Sequence, residues 1–251
     1  MKNDLLELAK VTQSYYLKNS ELSEVVNPSI PIMYFGDYEA YEKSKLKIIT
    51  VGLNPSNIEF QKDSKSSLSY FRFPKWEKDK NYIEALNDYF KTDQSYDNWF
   101  DRGYENVLSG LDASYYSKKQ KNNIVLHTDI FTPIATNPTW TKLSNIARIK
   151  LQNDGFEIWK TLVEILKPDI ILSALSKKDS TYIELKNKTD LIKIDYTKDG
   201  KQHKRPYAIQ KAIYNNTYIV LGKTVNIPFG DISHEKKIEI GKLIMADYNK
   251  K

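Results

Sequence analysis

Four short apolar runs punctuate the chain: Ile48–Val51, Ile124–Leu126, Asp169–Leu175 and Tyr218–Leu221. Each is too compact for a helix and rich in β-branched or large aliphatic residues, the pattern of a strand buried on both faces. Between them the apolar positions recur at helical spacing. Leu5, Leu6, Leu8, Ala9 and Val11 mark an opening helix over Asn3–Leu17. Phe156, Trp159, Leu162, Val163 and Leu166 mark another over Phe156–Leu166. Helical character is also expected over Tyr82–Tyr89, Tyr96–Leu111, Lys177–Thr189 and His234–Tyr248, and a short strand-like patch at Ile32–Phe35. Lys193–Arg205 is basic and turn-rich, with Asp199-Gly200 as a hairpin candidate. Strands alternating with helices predict an α/β fold, a three-layer α/β/α domain around a central, mostly parallel four-stranded sheet. No repeat and no long linker divides the chain, so a single domain over 1–251 is expected.

Composition narrows the chemistry. The chain has no cysteine, which excludes disulfides, thiol catalysis, iron–sulfur clusters and cysteine zinc sites. Its three histidines, His127, His203 and His234, are widely separated, so no metal site and no cofactor is expected. Thirty-eight Lys and Arg against 32 Asp and Glu leave a formal charge of +6, compatible with a polyanionic partner without requiring one. The first residues, MKNDLLELAK, are charged and lack an apolar core segment, and no apolar run approaches the ~20 residues of a membrane span. A cytoplasmic protein without membrane attachment is the expectation.

The most informative stretch is KIITVGLNPSNIEF, Lys47–Phe60. Gly52 ends the first strand, Asn54-Pro55 forces a turn, and Ser56 or Asn57 can cap a following helix. Ligands of open α/β sheets bind outside the carboxyl ends of the strands. The loop of Gly52, Leu53, Asn54, Pro55 and Ser56 is therefore the first place to look for chemistry.

With four strands placed, their exits resemble those of the uracil-DNA glycosylase superfamily. VGLNPS resembles its first motif, in the Gly-x-Asn-Pro form of the mismatch-specific and single-strand-selective branches. YFRFP resembles the aromatic segment that follows. LHTDIFTP resembles the exit of the second strand, and LKPDIILSAL the third strand with its preceding helix. VNIPFGDIS resembles the last motif. The resemblance touches short segments between Val51 and Ser233, in the family's order. Two departures stand out. The family's catalytic His is not at its usual place, and the tract 74–123 is long enough to read as a specificity insertion.

The resemblance implies a monofunctional DNA glycosylase, acting as a monomer on DNA and leaving an abasic site. Asn54 would orient water and Asn226 would bond the base or sugar; these are the catalytic candidates. Phe71 would stack on the extruded base, with Tyr70 as the alternative. Asp129 stands where the family reads its base with Asn. A carboxylate only accepts hydrogen bonds, so it suits the amino group of a cytosine-type base better than uracil. Phe229 or Ile232 would wedge into the gap left by the flipped nucleotide, and His234 opens the last helix near them. Lys201, Lys204 and Arg205 are candidate phosphate contacts, as are Lys118, Lys119 and Lys121. Plainer roles stand beside these: Asn54 as a turn residue bonding its own backbone, Asp129 as a cap or loop ion pair. The competing functions are a non-catalytic nucleic-acid-binding module and a hydrolase of free nucleosides or nucleotides.

Overall fold

In the computed structural model the Ile48–Gly52 run is a strand buried at every residue. The structure describes residues 2–63, 65–176, 178–196 and 199–250, with the backbone alone for Lys2, His203, Lys204, Arg205 and Val225. The chain is α/β, and its residues gather into two compact units, each discontinuous in sequence. One comprises 1–42, 52–95 and 126–167, the other 43–51, 96–125 and 168–251.

The second unit holds five strands of the central sheet. Ile48–Gly52 pairs in parallel with Ile170–Ser173, which pairs in parallel with Thr217–Leu221. Gln202–Tyr214 then runs antiparallel to Thr217–Leu221, and Lys186–Tyr196 runs antiparallel to that strand on the outer side. Four of the five strands therefore point the same way. This is a mostly parallel sheet, extended by an antiparallel pair beyond the runs expected from the sequence. The expected helix over Lys177–Thr189 is absent: a short 3-10 turn, Asp179–Tyr182, leads directly into the Lys186–Tyr196 strand, and Lys177 lies outside the described residues.

Behind this sheet the Asp97–Trp99 turn runs into a π-helical turn, Phe100–Glu105, and the short helix Asn106–Gly110. The last helix is His234–Tyr248, as the periodicity indicates, and Ser233 caps it by accepting from the Lys236 amide. Gly110 and Gly241 let the two helices meet backbone to backbone; a Cβ on Gly241 would sit 2.1 Å from the Val107 carbonyl oxygen. Lys237, buried beside them, donates its ammonium protons to the carbonyl oxygens of Arg102 and Gly103. The lysine thus ties the last helix to the π turn.

The first unit is built on two helices. The opening helix Lys2–Asn19 packs against Asn145–Leu166, which begins eleven residues earlier than the spacing of Phe156 and Trp159 suggests. Ser144 starts it by accepting from the Ala147 amide. The Tyr15 hydroxyl joins the pair by donating to the Leu151 carbonyl at 2.5 Å, with Thr132 Oγ1 at 2.9 Å. The strand expected at Ile124–Leu126 lies further on, at Leu126–Asp129; Asn123–Ile124 makes a separate short ladder with Ala113–Ser114. Ile32–Phe35 forms no strand, only an isolated bridge from Phe35 to His127.

Candidate functional site

Two loops of the first unit are sewn together by backbone hydrogen bonds. The amides of Ile130, Phe131 and Thr136 donate to the carbonyls of Gly52, Leu53 and Pro55 at 3.0–3.2 Å. On the other side, His127 and Phe35 exchange both backbone bonds, at 2.9 and 3.1 Å. The strand Leu126–Asp129 is thus fixed in register, and alternation puts His127 and Asp129 on one face and Thr128 on the other. Thr128 confirms the orientation, since its Oγ1 accepts from the Trp159 indole N–H at 3.1 Å.

On their shared face His127 Nε2 lies 3.7 Å from Asp129 Oδ1. Both lean over Gly52. A Cβ built there would stand 2.4 Å from Asp129 Oδ1 and 3.1 Å from His127 Nε2, so the glycine makes room for the pair. The Asp129 side chain is only 4 % exposed, and no described residue donates a hydrogen bond to its carboxylate. Its oxygens are not among the fully buried side-chain atoms left without a partner, so the carboxylate stays within reach of solvent and of an incoming donor.

Asn54 lies two residues beyond Gly52. Its amide nitrogen donates to the Pro55 carbonyl at 2.7 Å, to Thr136 Oγ1 at 2.9 Å and to the Ile134 carbonyl at 3.3 Å. These bonds fix the plane of the amide and leave Oδ1 as an acceptor with no donor among the described residues. Asn54 therefore does act as a turn residue bonding its own backbone, while its oxygen stays available. Pro55 is buried, and Leu53 and Ser56 are half-buried. Ser56 precedes the single 3-10 turn Asn57–Glu59 but makes no side-chain cap.

That turn delivers a second buried carboxylate. Glu59, 4 % exposed, accepts a 2.6 Å hydrogen bond from the Tyr89 hydroxyl, with Arg72 Nη1 at 3.7 Å. Burial pushes the Glu59 carboxyl above its ordinary range. Arg72 and the Tyr89 hydrogen bond pull it back, and the Asp129 charge adds to the rise. Phe35 and Tyr89 form an edge-to-face wall between the groups, with ring centres 4.7 Å apart and the His127 ring 5.5 Å from Phe35. Phe71 is half-buried, its ring 5.0 Å from the Arg72 guanidinium carbon. Tyr70 instead packs edge-on against Phe60 and Trp76.

No family model, curated protein or solved structure matches this chain. The site is therefore read from its own residues. Among those described, no group of three His, Cys, Asp or Glu could hold a metal ion, and no helix is long and apolar enough to cross a membrane.

The remaining candidates lie in the second unit. Asn226 is exposed at the tip between Thr224–Val225 and Ile227–Pro228, with φ of 62°. Phe229 and Ile232 are core residues here, not exposed wedges. The Phe229 ring fills the space a side chain on Gly222 would take and stands edge-on to Tyr104 at 5.9 Å. His234 and Lys201 are exposed, and the side chains of Lys204 and Arg205 lie outside the described residues. Lys119 is engaged with Glu105 at 3.0 Å and Lys121 stands 3.8 Å from Asp112, which makes both poorer phosphate ligands; Lys118 lies 5.8 Å over the Tyr116 ring.

Sequence reasoning found Gly52, Asn54 and Asp129, and missed His127, Glu59 and Arg72. The alternation in His-Thr-Asp was a usable signal for His127. Nothing local pointed to Glu59, whose partners are 13 and 30 residues away along the chain.

Proposed function

We propose that this protein is a monofunctional DNA glycosylase, working as a monomer on an extruded cytosine-type base. A three-layer arrangement like that of the uracil-DNA glycosylases belongs to this reading. One observation carries it: the Asp129 carboxylate, buried beside a side-chain-free Gly52, with no donor among the described residues. An exocyclic amino group is the complement such an acceptor calls for, and it would form a charge-assisted bond there.

In this reading Asn54 Oδ1 accepts from a water molecule and aims it at the sugar carbon C1′. The water oxygen bonds to C1′ as the C1′–N bond breaks. The base leaves with the bonding pair, and the proton released from water balances its charge. A neutral amide activates water weakly, so slow chemistry or an activated leaving group is expected. Phe71, backed by Arg72, offers a stacking face, a type of contact worth ~1–3 kcal/mol in single-strand binding. Uracil would set its O4 against the carboxylate, acceptor against acceptor, at a cost of about 1–3 kcal/mol.

The test is incubation with oligonucleotides carrying single cytosine-type or uracil bases, followed by hot alkali to reveal abasic sites. Excision of a 4-amino pyrimidine is expected, with Asp129→Asn shifting preference toward uracil by about one to two orders of magnitude. Robust uracil excision by the unaltered protein, with none of any 4-amino base, would overturn the assignment.

A further inference from the structure

The antiparallel pair at the edge of the sheet is longer than the sheet that supports it. Gln202–Tyr214 pairs with Thr217–Leu221 only from Gln210 to Tyr214, the last partners being Gln210 and Leu221. Its pairing with Lys186–Tyr196 continues past that point, through Ile192↔Ile209, Lys193↔Ala208 and Ile194↔Tyr207 to Tyr196↔Gln202. Residues 192–196 and 202–209 therefore form a two-stranded ribbon with no third strand beside it among the described residues. Beyond the buried pair Ile194 and Tyr207 it continues by two residues of strand rise, roughly 7 Å. Because Leu221 is the carboxyl end of its strand, the ribbon extends past the carboxyl ends of the parallel strands. That is the side from which open α/β sheets take their ligands.

The ribbon is rooted and then exposed. Ile194 and Tyr207 are buried at its base, and the Tyr207 hydroxyl donates to the Lys223 carbonyl at 2.8 Å and accepts from the Lys223 amide at 3.0 Å. Beyond them Asp195, Lys201, Gln202 and Pro206 are exposed, and Tyr196 is 59 % exposed. From Ile194↔Tyr207 to Tyr196↔Gln202 one strand advances two residues and the other five, so three extra residues bulge out around Pro206. From 192 to 209 the sequence has five Lys and Arg against two Asp, a surplus of three. Lys193–Tyr196 line a cleft with Ile232, Ser233 and Lys236, which backs one side of the ribbon, while its exposed edge is basic and so resists edge pairing and attracts a polyanion.

We propose that this ribbon is an arm that enters a groove of duplex DNA and holds the duplex at the carboxyl side of the sheet. A two-stranded ribbon is among the few elements the ~12 Å major groove admits, and phosphates line both of its walls. The proposal rests on the nucleic-acid partner of the function proposed above, but not on base excision.

The test uses the full chain in three forms: unaltered, Lys201→Gln with Lys204→Gln, and a cut-back form in which 195–206 are replaced by Asn-Gly to turn directly from Ile194 to Tyr207. Affinity for an unmodified duplex and for its single strand is read by fluorescence anisotropy across salt concentrations, with melting curves to confirm that each form is folded. Duplex affinity should fall at least tenfold in the cut-back form. The double substitution should lower the salt slope by about two units. Single-strand affinity should fall much less. Unchanged duplex binding, or equal losses on both strands, would overturn the arm. Absence of excision on any base would refute the glycosylase reading while leaving this binding result to stand.

Discussion

The exit at Gly52–Glu59 and the exit at Thr224–Ile232 are both turns that follow buried strands, yet only the second adds a buried aromatic anchor, Phe229, to its hydrogen bonds. The first is held by hydrogen bonds: three backbone bonds to 130–136 and three more from the Asn54 amide. The second combines hydrogen bonds with an apolar anchor. Its bonds run from Phe229 N–H to the Lys223 carbonyl at 2.9 Å, Gly230 N–H to the Ile227 carbonyl at 3.0 Å and Thr224 Oγ1 to the Ala174 carbonyl at 2.6 Å. Asn226, Phe229 and Asp231 all have positive φ, at 62°, 51° and 63°. For a bulky residue such as Phe229 this conformation costs of order 1–3 kcal/mol and persists only where surroundings impose it. The imposing contact is its ring, wholly buried against Gly222 and Tyr104. A hydrogen-bonded loop can offer polar atoms to a ligand without losing its shape. A loop with an apolar anchor keeps its shape only while that anchor stays inside.

The comparison breaks most visibly at Phe229. Phe229→Ala removes the fully buried ring that anchors this loop. A loss of about 3–5 kcal/mol is expected in denaturant unfolding. A loss below about 1 kcal/mol would show that the ring does not anchor the loop. A smaller effect is expected at Gly52. Gly52→Ala drives a methyl group into Asp129 Oδ1 and should cost about 1–3 kcal/mol as the carboxylate is displaced. Base binding should fall with it. Asp129→Ala in the same background should restore most of the stability, as a shared contact requires, and none of the binding.

The smallest effect concerns Glu59. Its carboxyl is raised above the ordinary 4.5, so the folded state favours the protonated form. That contribution is fully present below the unfolded value and is lost as pH rises through the folded one. The stability of Glu59→Gln relative to the unaltered protein should therefore improve as pH increases from about 4 to 7. Parallel stability curves for the two proteins over that range would mean that burial does not govern this carboxyl.

The sheet's parallel core was legible because Ile48–Val51 and Tyr218–Leu221 are buried and β-branched or aromatic throughout but for Leu221, with no charged interruption. The Lys186–Tyr196 strand was not. Nearly all its residues are exposed, so the alternation that marks a half-buried strand is missing and its lysines and asparagine read as a helix surface. The first half of Asn145–Leu166 was hidden for a related reason: Ile146 and Ile149 point outward and spoil the amphipathic pattern. In the site, Gly52, Asn54 and Asp129 stood out because strand exits can be located from strands. Arg72 and Glu59 meet only through the fold, and no spacing announces them.

The seam between 52–55 and 130–136 has a kinetic consequence. Its amides point into bonds within the protein, so those of Ile130, Phe131 and Thr136 should exchange with deuterium only on larger openings, at rates typical of core strands. A loop that does not open on its own has no ordering entropy left to lose when a ligand arrives. Selection between ligands then falls on the fixed directions of the Asp129 and Asn54 oxygens. A molecule with its donors misplaced by an ångström would find nothing in this corner that moves to meet it.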